Sequence, residues 1–401
     1  MTDAPLTGVT IVDLSRVLSG PYCTMLAADM GARVIKIEHP VKGDDTRAWG
    51  PPFVQGESAY YLSINRNKQS VALDFKRAEG RRLLEALIAK ADVLVENFRP
   101  GTLDALGLGF RDLHARHPRL VYVSISGFGH TGPRRAEAGY DAIAQAEGGL
   151  MYVTGEPDGP AVRVGVAVAD ISTGMFAFHG LLLALRARDQ TGRGQHVDVA
   201  LLDSVLALLT YQAGRYFATG ESPHRSGNRH MAIAPYDSFD AKDGVIVISV
   251  GNDDQWQRFC DALGLASLAA DPRFATNDRR VTGYDALRPL LVATLATRPR
   301  DELVTALRAV GVPCGGVRSV AEALADPQAI ARSMVEATDH ATIGQLRVLG
   351  LPIKLSETPG AVRAAPPRLG EHTHHVLTAD LGLPSDEILA LDAAGVVRTM
   401  R

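Results

Sequence analysis

Cysteine and aromatic residues are scarce in this 401-residue chain: three cysteines, two tryptophans and 6% aromatics in all. Cys23, Cys260 and Cys314 stand far apart, with neither a Cys-x-x-Cys pair nor a histidine at ligand spacing. That argues against a disulfide framework and structural zinc and for a reducing, cytoplasmic compartment. Charge of one sign is lacking too. The 42 Lys and Arg against 45 Asp and Glu give a net charge of -3, too balanced for a general nucleic-acid surface. The most apolar run, residues 175–185, is too short to cross a bilayer and is expected to be a buried helix. The first residues, Met1 to Leu6, lack the basic and apolar regions of an export signal. No Gly-x-Ser-x-Gly elbow, phosphate-binding P-loop or His-Glu-x-x-His is found, which disfavours serine hydrolase, P-loop ATPase and zinc protease chemistry.

What is present is an alternation. Apolar runs at 9–14, 34–37, 70–73, 93–95 and 120–125 are separated by helical stretches, the first opened by Gly20-Pro21 and closed by Gly31. This spacing predicts an α/β domain with a doubly wound, Rossmann-like parallel sheet covered by helices on both faces. A central helix is expected from Asp170 to about residue 186. Turn formers at 220–228 mark a linker, followed by a smaller α+β module with a strand at 245–250 and helices at 253–263, 284–296 and 300–310. Residues 341–373 read as loop-rich, before a short helix at 387–394. The expected division is a large domain over 1–200, a linker over 201–225, a small domain over 226–330 and a C-terminal segment over 331–401 that returns to the large domain.

Gly127-Phe-Gly129-His-Thr-Gly132 matches Gly-x-Gly-x-x-Gly after a strand. Pro133, Arg134 and Arg135 follow it instead of an apolar helix, so a plain glycine loop is preferred to a nicotinamide site. Asp170 opens Asp-Ile-Ser-Thr-Gly174 and reads from these residues as a helix N-cap; a carboxylate in such a setting could also act as a nucleophile. Tyr140-Asp141 opens another helical stretch. Glu96-Asn-Phe-Arg-Pro-Gly101 follows a strand, placing Asn97 and Arg99 where doubly wound sheets bind ligands. Lys68, Lys76, Arg66 and Arg47 read singly as parts of a solvated face.

Taken together, the ordered segments resemble the class III CoA-transferases, the CaiB/BaiF type that includes formyl-CoA and carnitine CoA-transferases. The resemblance rests on Leu6-Thr-Gly-Val-Thr-Ile-Val-Asp-Leu14, Gly31-Ala-Arg-Val-Ile-Lys-Ile-Glu38, Asn67-Lys68, the Glu96–Gly101 motif, Tyr140-Asp141, Asp170 through Gly174, Thr191-Gly-Arg-Gly-Gln195, Gly311-Val-Pro-Cys314 and Leu369-Gly-Glu-His-Thr373. It implies that Asp170 is the catalytic nucleophile, moving CoA from an acyl-CoA donor to a free carboxylic acid through an aspartyl anhydride and an aspartyl-CoA thioester. Succinyl-CoA is a possible donor. It implies that Val17, Leu18, His39, Leu73, Lys76, Asn97, Phe98, Arg99, Tyr140 and Asp141 line the CoA site, with Arg16 at a polar active-site position. No metal, no tightly bound cofactor, no nucleic acid and no membrane are expected, and the dimer implied is an interlocked homodimer. The chain departs from the family at His39 and Ala105, where arginine occurs in other members, and it lacks the glycine run of the formyl-CoA enzymes. The alternative within the superfamily is a 2-methylacyl-CoA racemase, but those enzymes have Gly-His-Asp where this chain has Gly139-Tyr140-Asp141.

Overall fold

A computed structural model describes residues 4–400. The apolar runs become β1 (Thr10–Asp13), β2 (Arg33–Glu38), β3 (Lys68–Leu73), β4 (Val93–Glu96), β5 (Val121–Ser126) and β6 (His196–Ala200), with a short β7 (Val397–Arg398) from the C-terminus. They form one sheet in the order β7-β3-β2-β1-β4-β5-β6. The first six are parallel and β7 is antiparallel. Without β7 this is the doubly wound order 3-2-1-4-5-6, which reverses direction between β1 and β4.

The strands read as continuous apolar runs because both faces are covered. Successive residues of β1 and β2 go to opposite sides. Ile11 and Val34 pack with Cys23 and Ala27 of α1 (Ser19–Asp29) on one face. Val12 and Ile35 join Leu84 and Ile88 of α2 (Ala78–Ile88) and Leu113 of α3 (Phe110–Arg116) on the other. The remaining helices that matter are α4 (Asp141–Glu147), α5 (Val168–Thr191), α6 (Leu201–Leu208), α7 (Thr373–Leu381) and α8 (Ser385–Ala393).

Helix α5 is longer than the apolar run suggested. At 24 residues it is long and apolar enough to cross a membrane by length and composition, and half of its most apolar window is buried inside the chain. It is not buried all round: Ala177, Phe178 and Leu181 enter the core, whereas Met175, Phe176 and Leu183 are exposed. The polar residues around Asp170 do not interrupt it because they form its first turn, where backbone N–H groups lack intrahelical partners.

The chain separates into two compact units: residues 1–150, 163–211 and 327–401 in one, and 151–162 with 212–326 in the other. Residues 201–225, expected as a linker, hold α6 and a further helix, Thr210–Thr219, within which the boundary falls. Residues 151–162 join the smaller unit through the Gly227 N–H donating to the Gly155 carbonyl and Arg225 donating to the Tyr152 carbonyl. These partners lie some seventy residues apart, beyond any local pattern. The smaller unit has a three-stranded antiparallel sheet and a core containing Trp256, Phe259, Phe274 and Tyr284.

The loop-rich reading of 341–373 missed the second strand of a β-hairpin, Val335–His340 with Gly344–Leu349, and helix α7, which begins where that stretch ends, was not anticipated. Between them the proline-rich segment is stitched to the edge of the large sheet. Asn67 Oδ1 accepts the N–H groups of Arg363 and Ala364, and Ser70 Oγ accepts that of Gly370.

Helices α1 and α5 cross at Gly174, where a Cβ would lie 2.6 Å from the Ser19 carbonyl oxygen. Alanine has the better helix propensity by about 1 kcal/mol, but overpacking against fixed backbone costs about 1–3 kcal/mol. Gly174→Ala is therefore expected to lower the melting temperature in thermal unfolding followed by circular dichroism. An unchanged or raised value would show that the two helices separate at no cost.

Candidate functional site

Ligands bind doubly wound sheets outside the carboxyl ends of the strands, where the strand order reverses. The turn after β1 (residues 14–18) and the turn after β4 (97–100) meet there and wall a cleft of about 660 Å³. The first turn is held unusually firmly. Asn97 grips Arg16 at both backbone ends: its Oδ1 accepts the Arg16 N–H at 2.8 Å and its Nδ2 donates to the Arg16 carbonyl at 2.7 Å. Lys36 Nζ, fully buried, donates to the Ser15 carbonyl at 2.9 Å and pairs with Asp44 at 2.8 Å. Asp44 Oδ1 in turn accepts from Thr46 N–H at 2.9 Å and Val17 N–H at 3.3 Å. Within this cage Val17 sits at φ +69°, a strained conformation for a β-branched residue. Gly20 closes the turn, since a Cβ there would lie 2.3 Å from that of Ser15.

The basic residues behind this turn are not a solvated face. Lys68 is buried against Asp13 at 3.4 Å, and its ammonium also donates to the Pro21 carbonyl at 2.8 Å. Arg66 pairs with buried Asp29 at 2.6 Å, and Arg47 with Glu38 at 2.7 Å. Lys76 alone of the four is exposed. Burial pushes Lys68 down to about 8 despite the Asp13 carboxylate. Asp44 is lowered for the opposite reason: burial opposes its ionisation, but Lys36 and the Thr46 bonds outweigh it and bring the carboxyl to about 2.

Asp170 lies on the cleft wall in the first turn of α5. It is not the N-cap. Ala167 holds that position and makes no side-chain cap bond. The capping oxygen comes from α4, where Asp141 Oδ1 accepts the Ala169 N–H at 2.8 Å, with the Asp170 N–H at 3.5 Å. Asp141 is steadied by Gln145, which donates to it at 2.7 Å while its own Oε1 accepts the Val164 N–H at 2.9 Å. The start of α4 reaches this place because Gly127 and Gly139 touch backbone to backbone; a Cβ on Gly127 would lie 2.6 Å from the Gly139 Cα. Burial, and then the neighbouring Asp141 carboxylate, raise Asp170 to about 6, opposed by a hydrogen bond from Ser19. Tyr60, half-buried nearby, is pushed up to about 12 by burial and by Asp170 and Asp141.

Arg16, Val17, His39, Leu73 and Lys76 share the cleft wall with Asp170, as do Asn97, Phe98, Arg99 and Tyr140. Two expected site residues are placed differently. Leu18 is buried and packs with Met25 and Ile64, because the strained turn at Val17 directs it inward. Asp141 caps α5 instead of forming the wall. His39 Nδ1 accepts the N–H groups of Val41 and Lys42 at 3.1 and 3.3 Å, so its ring hydrogen resides on Nε2. Ala105 is exposed and lies off the wall. Lys42, Asp45 and Ser19 were missed. For Ser19 a signal was available, its place beside Gly20-Pro21 at the head of the first helix. The glycine loop at 127–132 leads to no helix before Asp141, and its Gly129 and His130 N–H groups are taken by Ser126 and Asp198.

Residues 6–373 match the family described as CoA-transferase family III. The chain belongs to this family. It is 44% identical over 93% of its length to a succinate–glutarate CoA-transferase of Agrobacterium fabrum, of which 95% is covered. It is 41% identical over 98% of its length to the succinyl-CoA:glutarate CoA-transferase of Mus musculus, of which 90% is covered. A crystal structure of a CaiB/BaiF family protein from Brucella suis superposes with a TM-score of 0.86 at 43% identity, covering 94% of this chain and all of that one. The chain is thus an enzyme of the CoA-transferase class with the CaiB/BaiF fold, and the racemase alternative is not favoured.

An Asp carboxyl in the unfolded chain ionises near 3.8, whereas Asp170 does so near 6. The folded state is therefore favoured fully below the first value and loses that advantage as pH rises through the second, by up to about 3 kcal/mol. Asp170→Asn removes the charge. It is expected to melt several degrees above the parent at pH 7.5 and level with it at pH 4; equal melting at both would refute the burial and repulsion assigned to Asp170.

Proposed function

We propose that this enzyme moves CoA from an acyl-CoA donor, with succinyl-CoA the first candidate, to a small free carboxylic acid through covalent intermediates on Asp170. The observation that carries this reading is a largely buried carboxyl, positioned by its backbone on Asp141, facing a cleft whose rim bears Arg16, Lys42, Lys76 and Arg99. Four cations on one cleft wall suit the phosphates of CoA, and the names of the relatives supply the class of donor and acceptor.

In the first step an Asp170 oxygen attacks the thioester carbonyl carbon, and the carbon–sulfur bond breaks to leave a mixed anhydride and CoA thiolate. The thiolate then attacks the Asp170 carbonyl carbon, releasing the donor acid as its carboxylate and leaving an aspartyl-CoA thioester. The acceptor carboxylate displaces the thiolate to form a second anhydride, and the thiolate attacks the acceptor's acyl carbon. Asp170 is regenerated as a carboxylate, so no proton or redox equivalent is needed. Splitting the exchange keeps each barrier low, and a cleft that shields the anhydride from water prevents its hydrolysis.

The raised pKa has a kinetic consequence. Attack requires the carboxylate, so the rate of Asp170 acylation is expected to fall roughly tenfold per pH unit below about 6. We incubate the enzyme with succinyl-CoA, quench it, and expect a CoA-sized adduct or a hydroxylamine-trapped product on the Asp170 peptide by mass spectrometry, absent in Asp170→Asn. If other acyl-CoA donors also leave Asp170 unlabelled, or if the Asn variant turns over near normally, the mechanism is wrong.

We further infer a homodimer, interlocked as in its family. Met175, Phe176 and Leu183 of α5 and Leu206 and Leu208 of α6 are apolar side chains left exposed by the single chain. Sedimentation equilibrium should return twice the chain mass at micromolar concentration; a monomer would refute the dimer. The unpaired cysteines suit the reducing cytoplasm as its location.

A further inference from the structure

A second cluster of titratable groups lies beneath the cleft wall. Glu96, the last residue of β4, is 3% exposed, and its register partner on β5 is Ser124. Glu96 Oε2 accepts the backbone N–H of Phe98 at 2.8 Å. The Ser124 hydroxyl favours the ionised form of the same carboxylate and lies 2.9 Å from His196 Nε2. His196 is fixed by stacking on Phe110, with ring centroids 5.0 Å apart.

His130 approaches from the glycine loop, its Nε2 3.8 Å from Glu96 Oε1 and otherwise without a partner. Its backbone N–H is tied to Asp198 Oδ2 at 3.0 Å. The other charged or titratable groups near Glu96 are Asp104 in the turn before α3, Asp198 on β6 and Tyr122 on β5. Both aspartates disfavour a further negative charge. Burial, ahead of these, raises Glu96 to about 7, while the Ser124 and Phe98 bonds oppose the rise.

The carboxylate is thus the anchor of a turn with several contacts in the cleft. Asn97 grips the Arg16 backbone, Phe98 packs edge-on against Phe75 and under the Arg16 guanidinium, and Arg99 reaches the rim. We propose that Glu96 is a positioning residue for CoA: ionised, it draws in the Phe98 N–H and fixes the 97–99 turn, and protonated, it turns its hydrogen toward His130 and slackens that turn. This couples CoA affinity to pH through a group that touches no substrate, and it rests on the reading of the cleft as the CoA site. A charged acceptor holds an N–H more strongly than a neutral one, so affinity rises as Glu96 ionises.

The test is calorimetric titration of the full-length enzyme with coenzyme A from pH 6 to 8, repeated with Glu96→Gln and His130→Asn. The parent should bind about fivefold more tightly at the upper end of the range than at the lower. In Glu96→Gln that part of the pH dependence should vanish, leaving affinity near the parent's low-pH value while kcat at saturating succinyl-CoA changes little. In His130→Asn, which keeps the carboxylate, the midpoint should shift while a pH dependence remains. A Glu96→Gln curve that tracks the parent's would overturn the proposal, as would a uniform loss with the pH dependence intact, the mark of a purely structural role. If Glu96→Gln does not fold, the His130→Asn midpoint decides, and an unshifted one overturns it. Failure of the parent to bind CoA at any pH would instead overturn the cleft assignment itself and this proposal with it.

Discussion

The site depends on a cluster of charges buried beneath the carboxyl ends of the first two strands, which Lys68 joins from the start of the third. Asp13 on β1, Lys36 and Glu38 on β2 and Lys68 on β3 are all nearly or wholly inaccessible, with Asp44 and Arg47 folded over them. Each charge is paired and further hydrogen-bonded, the condition under which burying ions is tolerable; leaving one partner alone would cost about 3–5 kcal/mol. The cluster ties these strands to the turn at 14–18 and to the first turn of α1. Lys36 takes the Ser15 carbonyl, Asp44 the Val17 N–H, and Lys68 the Pro21 carbonyl. A flexible loop could not keep Val17 at φ +69°; this one has few alternatives left.

From that fixed turn the opposite wall of the site can be understood. Helix α1 starts where the turn ends, and it packs on α5 at Gly174, bringing the Ser19 hydroxyl to Asp170. Asp141 then completes the arrangement from α4. One carboxylate is spent capping a helix, and its negative charge, together with burial, keeps the other from ionising at the usual pH. Two carboxylates of similar intrinsic acidity are thereby given different tasks by position alone. Under the proposed function this site gives up folding stability for reactivity, a common feature of catalytic centres.

The wall made by residues 97–99 rests on a different foundation. Where the turn after β1 is held by ion pairs, this one hangs from Glu96, whose neighbours are a hydroxyl, one imidazole and a backbone N–H. The pairs of Lys36 with Asp44 and of Arg47 with Glu38 stay charged through the neutral range, whereas a glutamate beside a histidine does not. The two walls of one cleft therefore respond differently to pH, and Asn97, bonded to Arg16 at both ends, joins them.

Much of this was legible in the chain. Apolar runs and their spacing marked the parallel strands, because a strand covered on both faces must be apolar without interruption, and turn formers marked where helices begin and stop. The helix expected at 253–263 is there residue for residue, ended by Gly264 in the left-handed conformation. The ordered motifs also brought Asp170, Val17, Asn97 and Arg99 forward together. Other features had no local signal. Lys68, Arg66 and Arg47 look like surface cations until the strand order sets Asp13, Asp29 and Glu38 beside them. Asp170 looks like a cap until Asp141, twenty-nine residues earlier, takes that role. Leu18 looks like a wall residue until the backbone twist at Val17 turns it inward. Periodicity is a property of neighbours along the chain, so sequence determined the elements; the partner of a charge is a neighbour in space, so only the tertiary structure decided which groups are buried, which are paired and which remain free to react.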